Sequence, residues 1–177
     1  MKLDRLVILF LTSATIFVSC QPTKTVLPKN KIEPNSSLES PVPAQAQPKL
    51  STIKLYLGPQ EMVAETALTG EQMQSGMMFR TNMAENESMI FVFPYPQRAS
   101  FWMKNTSLPL SAAYIDSEGT IQEIHNLQPH NTNPVVAHSE NIQFVLETRQ
   151  NWFQRNNVST GTVIRTEKGT LKNTFLK

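Results

Sequence analysis

The chain has little of several residue types, and each shortage excludes a class of protein. Its one cysteine, Cys20, rules out an internal disulfide and a cysteine-based zinc site. Its three histidines follow no compact zinc spacing, so the sequence predicts no bound metal and no cofactor. Asp116 is the only aspartate after residue 50. A glycosidase with two carboxylates would therefore need glutamates from distant elements.

The sequence also lacks a large net charge and phosphate-binding glycine motifs. The formal net charge is +2 over 177 residues, which offers no basic footprint for nucleic acid. Neither a G-x-x-x-x-G-K-[ST] nor a G-x-S-x-G pattern occurs, so the sequence does not indicate a nucleotide-binding enzyme. A serine nucleophile stays open, because catalytic triads are assembled in space rather than along the sequence.

The first twenty residues have the layout of an export signal. A charged start, Met1–Arg5, precedes an apolar run over residues 6–18 and then Ser19 and Cys20. The run is shorter than the about 20 residues that a membrane-spanning helix needs. The letters "FVSC" resemble the bacterial lipoprotein processing box, in which the cysteine is lipidated and becomes the first mature residue. A free thiol and an intermolecular disulfide are the alternatives for Cys20.

These features predict a signal peptide over residues 1–19 and attachment to the membrane through lipidated Cys20. The protein would then lie in the cell envelope, facing the periplasm or at the outer membrane. Residues 20–50 would be a disordered tether, because six of the twelve prolines lie between Gln21 and Leu50, where no aromatic residue and no glycine occurs. Residues 51–177 would form a single globular domain.

Hydrophobic periodicity in residues 51–177 favours strands over helices. Alternation predicts a strand at Ile53–Leu57 with a hairpin partner after Gly58-Pro59, and Met89–Phe93 is apolar on both faces, as a central strand is. Five further candidate strands are "RASFWMK", "LSAAYID", "IQEIHNL", "IQFVLET" and "TVIRTE". Short helices are predicted from Thr69 through Met77 and in "RQNWFQRNN". The predicted fold class is α+β, mainly β: a compact curled antiparallel or mixed sheet, or a barrel-like domain, with one or two short helices.

The stretch "RASFWMKN", residues 98–105, is the candidate binding surface. If it is a strand, one face is apolar, and the other face carries four side chains: Arg98, Ser100, Trp102 and Lys104. An indole between two cations offers cation–π contact and an N–H donor, and Asn105 adds a polar group at the strand end. Such a surface suits a glycan, a small anionic molecule or an envelope protein. The alternative is that the stems of neighbouring side chains simply cover the indole.

Three further residues are candidates for this site. Arg80 ends the apolar run "GMMFR", where its guanidinium could hold a carboxylate or cap a helix. Glu147 is opposite in phase to Ile142, Phe144 and Leu146 and could be a base or a partner of Lys104 or Arg80. Asp116 begins the sequence D-S-E-G and is more simply the first residue of a turn. An ordinary structural ion pair is the alternative for Arg80 and Glu147.

Four motifs together resemble a known family: "GMMFR", "MIFVFPYPQRASFWMKNTSLPL", "AYID" and "VLETRQNWF". Their order and spacing are similar to those of the bacterial and archaeal family catalogued as domain of unknown function 192, over nearly all residues from Ile53 onward. The resemblance implies a compact, mostly β domain with small helices, and it implies no chemistry because the family is uncharacterised. This chain has Ser111 where members often have an acid, so that acid cannot be required here.

The sequence is compatible with three functions. The leading hypothesis is a lipid-anchored binding or accessory domain that uses the surface around Trp102. An envelope hydrolase is the alternative, with Glu147, Asp116 or a histidine as the base and Lys104 or Arg80 as the electrostatic group. In the third hypothesis the motif is purely structural, and Trp102 is buried under a neighbouring loop of an envelope assembly protein.

Overall fold

The computed structural model describes residues 43–176. The predicted signal peptide, Cys20 and most of the predicted tether lie outside the described residues. The elements found in residues 43–176 are β1 (Thr52–Leu57), β2 (Gln60–Ala67), α1 (Gly70–Ser75), β3 (Glu87–Gln97), β4 (Ser100–Phe101), β5 (Leu110–Ile115), β6 (Ile121–Leu127), β7 (Val135–Val136), β8 (Ile142–Arg149), α2 (Trp152–Arg155), β9 (Ile164–Thr166), β10 (Gly169–Thr170) and α3 (Leu171–Phe175). Within this part of the chain, every helix is too short or too polar to cross a membrane.

Eight strands form one mixed sheet in the order β10-β9-β1-β2-β3-β8-β5-β6, and β4 and β7 form a separate pair. Strands β2 and β3 are parallel, and β3, β8, β5 and β6 follow one another antiparallel. The prediction of a mainly β domain with a mixed sheet is confirmed. The barrel-like alternative is wrong, because the sheet stays open, and a third helix, α3, joins the two that were predicted.

Local sequence signals explain the first elements. In β1, exposed and buried residues alternate, and Leu55 and Leu57 are fully buried. The capping box of α1 is present, with the Thr69 hydroxyl accepting from the Gln72 backbone N–H at 3.2 Å. The helix ends at Ser75 rather than reaching Met77, because Gly76 has a φ of 44° that a helix does not allow.

The core is divided between the two faces of the central strands. One face packs under α2 and α3, where Phe144 and Leu146 belong to the same hydrophobic cluster as residues of those helices. The other face, which we call the second face, is covered by the segments 73–83 and 99–110. Its central side chains are Met89, Phe91, Ala112, Tyr114 and Val145. Glu147 shares the phase of Val145 in β8 and therefore points to this second face.

Residues 98–104 are not one long strand, as the sequence predicted. Only Ser100–Phe101 pairs, with β7, and the chain then turns at Asn105, which has a φ of 55°. The predicted alternation of burial is nevertheless confirmed, because Ala99 and Met103 are buried and Trp102 is exposed. The short strands β7 and β10 were not predicted, since two residues show no period.

Part of the segment assigned to the tether contacts the domain. The Gln47 side-chain amide donates to the carbonyls of Gln72 and Gly76 at 3.1 and 2.9 Å. The Leu50 backbone N–H donates to a carboxylate oxygen of Glu65 at 2.7 Å. Residues 47–50 therefore lie against α1 and β2.

Candidate functional site

A small cavity opens on the second face of the sheet, beside Trp102. Its volume is about 40 Å³, which holds a water molecule or one small chemical group rather than a whole ligand. The walls come from α1 and the residues after it, from β3, β4 and β8, and from the segment after β4. They are Met73, Gln74, Ser75, Gly76, Met77, Met78, Phe91, Phe101, Trp102, Thr106 and Glu147.

Glu147 is the only ionisable residue among the described residues that line this cavity. In the sheet it stands between Met89 of β3 and Ala112 of β5, and its side chain is 4% exposed. Burial raises the pKa of the Glu147 carboxyl to about 8, because the charged form loses its hydration. At neutral pH the cavity therefore contains a neutral carboxylic acid, which can donate one hydrogen bond and accept others.

Trp102 lies at the edge of the cavity and is 44% exposed. The Lys104 ammonium is 5.1 Å from the centroid of the indole ring, which is cation–π distance. The indole thus lines the cavity and also faces solvent, with a cation beside it. It is not buried under a neighbouring loop, as the purely structural hypothesis required.

The segment after Trp102 forms a tight turn that holds one wall of the cavity. Asn105 adopts the left-handed conformation, which asparagine tolerates better than most residues. Its carbonyl accepts from the backbone N–H of Phe79 at 2.8 Å, and this bond joins the two segments that cover the second face. Thr106 lines the cavity and donates its hydroxyl to the Lys104 carbonyl at 3.2 Å. Asn105 itself does not line the cavity; its backbone joins two segments that supply lining residues.

Arg80 is not among the residues that line the cavity. Its two terminal nitrogens donate to both carboxylate oxygens of Glu65 at 3.1 and 2.9 Å. The two side chains are only 13% and 14% exposed, so this is a largely buried bidentate ion pair. Arg80 pairs with Glu65, and none of the cavity-lining residues within 43–176 is a cation that could pair with Glu147.

Arg98 and Asp116 also lie outside the cavity lining. Arg98 forms an exposed ion pair with Glu140 at 3.0 Å. Asp116 accepts from the backbone N–H groups of Glu118 and Thr120 at 2.9 Å each, which is the turn that its sequence context predicts. Of the predicted site residues, Trp102 and Glu147 line the cavity, Lys104 lies beside the indole, and Asn105 is outside the lining.

Sequence reasoning missed two groups of residues. Met77 and Met78 of the cavity wall follow α1 in a segment without a strand or helix period, so no pattern indicated that they line a cavity. His125 and His138, considered above as possible bases, lie at Glu123 rather than at Glu147. The alternation of β6 places Glu123 and His125 on one face and would have suggested that pair, but His138 comes from a distant loop.

Comparison with known proteins identifies similar chains. The family model described as DUF192, Uncharacterized ACR, matches residues 53–166. A crystal structure of a candidate transcription regulator from Sinorhizobium meliloti 1021 is 31% identical, with a TM-score of 0.65, over 68% of this chain and 98% of that one. A protein of unknown function from Novosphingobium aromaticivorans DSM 12444 is 28% identical, with a TM-score of 0.62, over 68% and 90%. No curated protein matches.

Proposed function

This chain belongs to the uncharacterised DUF192 family, and we propose, from its sequence and its candidate site, that it is a lipid-anchored envelope protein whose domain binds a neutral glycan at Trp102 and Glu147. One observation carries the proposal: a buried, neutral carboxylic acid opens into a small cavity beside a half-exposed indole. The anchor at Cys20 and the tether are inferred from sequence alone.

The indole of Trp102 suits the apolar face of a sugar ring, and the carboxylic acid of Glu147 suits its hydroxyl groups. The apolar face of a sugar ring can stack on an indole, whose broad surface costs little conformational entropy to present. A hydroxyl of the same sugar needs a donor and an acceptor, and the protonated Glu147 provides both. Because the cavity holds only about 40 Å³, one small substituent would enter it while the body of the ligand stays against Trp102.

An anionic ligand is less well supported by this geometry. None of the described residues that line the cavity carries a positive charge, and ionised Glu147 would repel an anion. Lys104 stands beside the indole rather than in the cavity lining. A nucleic-acid partner, which the name of the S. meliloti protein would suggest for that protein, is disfavoured here by a net charge of only +2.

Binding of neutral oligosaccharides to the full chain in detergent tests the proposal, first on a glycan array and then by titration. We expect Trp102→Ala to abolish binding, and Tyr56→Ala, which removes an exposed aromatic residue of β1, to leave it unchanged. Glu147→Leu should weaken binding about 10- to 100-fold, because a ligand hydroxyl then loses its partner. Unchanged binding by a folded Trp102→Ala variant would contradict the site.

An envelope hydrolase is the second candidate, favoured by the same pKa of about 8. A carboxyl that is still protonated at neutral pH can act as a general acid, which typically contributes 10²- to 10⁴-fold to a rate. Glu147→Gln separates the two functions, because the amide keeps a neutral donor and acceptor but transfers no proton. Retained binding with loss of glycan cleavage would indicate an enzyme. Retained binding by wild type and variant, with no cleavage by either, would indicate a binding domain.

A further inference from the structure

We propose that Glu123, His125 and His138 form a binding site for a divalent transition-metal ion of the zinc type. The three side chains meet at the edge of the sheet, on β6 and on the loop that follows β7. They share no residue with the cavity at Glu147. The histidine spacing predicted no metal site, because the third ligand joins the other two only in the folded chain.

The donor atoms already lie close together. Glu123 Oε2 is 2.9 Å from His125 Nε2 and 2.8 Å from His138 Nδ1, and all three donors lie within 4.8 Å of one another. Bonds of about 2.0–2.1 Å to a tetrahedral zinc ion place its ligands about 3.3 Å apart. The His138 side chain is 87% exposed. It can therefore rotate to bring its ring nitrogen to this spacing from the other two donor atoms without repacking the core.

Backbone groups hold the carboxylate in the required orientation. Glu123 Oε1 accepts the N–H groups of His138 and Ser139 at 2.8 and 2.9 Å. Oε2, which also accepts from the His138 N–H at 3.1 Å, is directed at the two imidazoles. Such outer contacts orient ligands and are typical of metal sites. His125 is three-quarters buried, and its ring packs 5.1 Å from that of Tyr114. Two of the three ligands are therefore held in place before a metal binds.

The ligand chemistry selects the class of metal. Two imidazoles and one carboxylate suit zinc and the neighbouring transition metals, whereas calcium and magnesium prefer an all-oxygen set. Three protein ligands leave one position of a tetrahedral ion for water or another ligand. In the register of the sheet, Ala112 stands between His125 and Glu147. The two sites therefore lie on one face, about 10 Å apart by strand spacing.

Calorimetric titration of the full chain with Zn²⁺ in detergent tests this site. A Cys20→Ser background removes the only thiol. We expect one zinc ion per chain, with binding at least 10-fold weaker in His138→Ala and in Glu123→Gln. His130→Ala is the matched control, because His130 is an exposed histidine outside the cluster, and it should bind as the parent does. No saturable binding, or equal losses in His130→Ala and His138→Ala, would overturn the proposal.

Side-chain NMR of the histidines gives a second readout that does not depend on affinity. Zinc should shift the nitrogen resonances of His125 and His138 and leave those of His130 in place. Glu147→Gln should leave zinc binding unchanged, which keeps this test independent of the glycan site. Shifts confined to His130 would overturn the proposal even if one ion bound per chain.

Discussion

The buried carboxyl of Glu147 should make the domain less stable as the pH rises. Its pKa is about 8 in the folded chain and 4.5 in its ordinary environment. Between these values the unfolded chain has released the proton and the folded chain has kept it, so unfolding is increasingly favoured. The contribution is fully present below pH 4.5 and is lost as the pH rises through 8. At about 1.4 kcal/mol per pH unit, the total loss is on the order of 5 kcal/mol.

Glu147→Gln is the matched variant for this prediction, because it keeps the shape of the side chain and removes the titration. Urea unfolding followed by circular dichroism at pH 5, 6, 7 and 8 gives the free energy of unfolding for both proteins. The free energy of unfolding of the variant, minus that of the wild type, should increase by about 1 kcal/mol or more per pH unit across this range. Every other ionisable group is common to both proteins, so the difference between the two curves isolates the contribution of Glu147.

Parallel curves would refute the reasoning. They would mean that the Glu147 carboxyl is hydrated or paired with a cation in the folded protein. The cavity would then hold a carboxylate at neutral pH, and both the neutral-glycan proposal and the general-acid alternative would lose their basis.

Three further predictions concern the fold and the anchor. Arg80→Met should lower the free energy of unfolding by about 3 kcal/mol, because it leaves a largely buried carboxylate unpaired. Lys49→Met breaks an exposed pair and should lower it by less than about 1 kcal/mol. Equal losses for the two variants in urea unfolding would contradict this prediction. Gly119→Ala should lower the melting temperature more than Gly161→Ala: φ is +89° and +88°, but only at Gly119 does an added Cβ come within 3.0 Å of a backbone oxygen. A clickable fatty acid should label the wild type and not Cys20→Ala, and equal labelling would remove the lipid anchor.

The main part of the fold was predictable because its signals are local. Clean alternation identified β1, short runs typical of strands identified segments that overlap β2, β3, β5, β6 and β8, and a single capping box located the start of α1. The parallel pairing of β2 with β3 and the open sheet were not predictable, since pairing joins residues that are distant in sequence. Strands of two residues, such as β4 and β7, owe their existence to that pairing and carry no period of their own.

The candidate site divides in the same way. The sequence by itself determined that Glu147 is opposite in phase to Phe144 and Leu146, because period 2 follows from the geometry of a strand. The proximity of Trp102 and Lys104 was decided by the turn after β4, since both residues lie beyond that strand. Only the tertiary structure decided that Glu147 is buried, with no cation among the described residues that line its cavity, because its burial comes from β3, β5 and the segment after α1 together. The meeting of Glu123, His125 and His138 was likewise decided in space, since a loop brings the third ligand to a strand already carrying two.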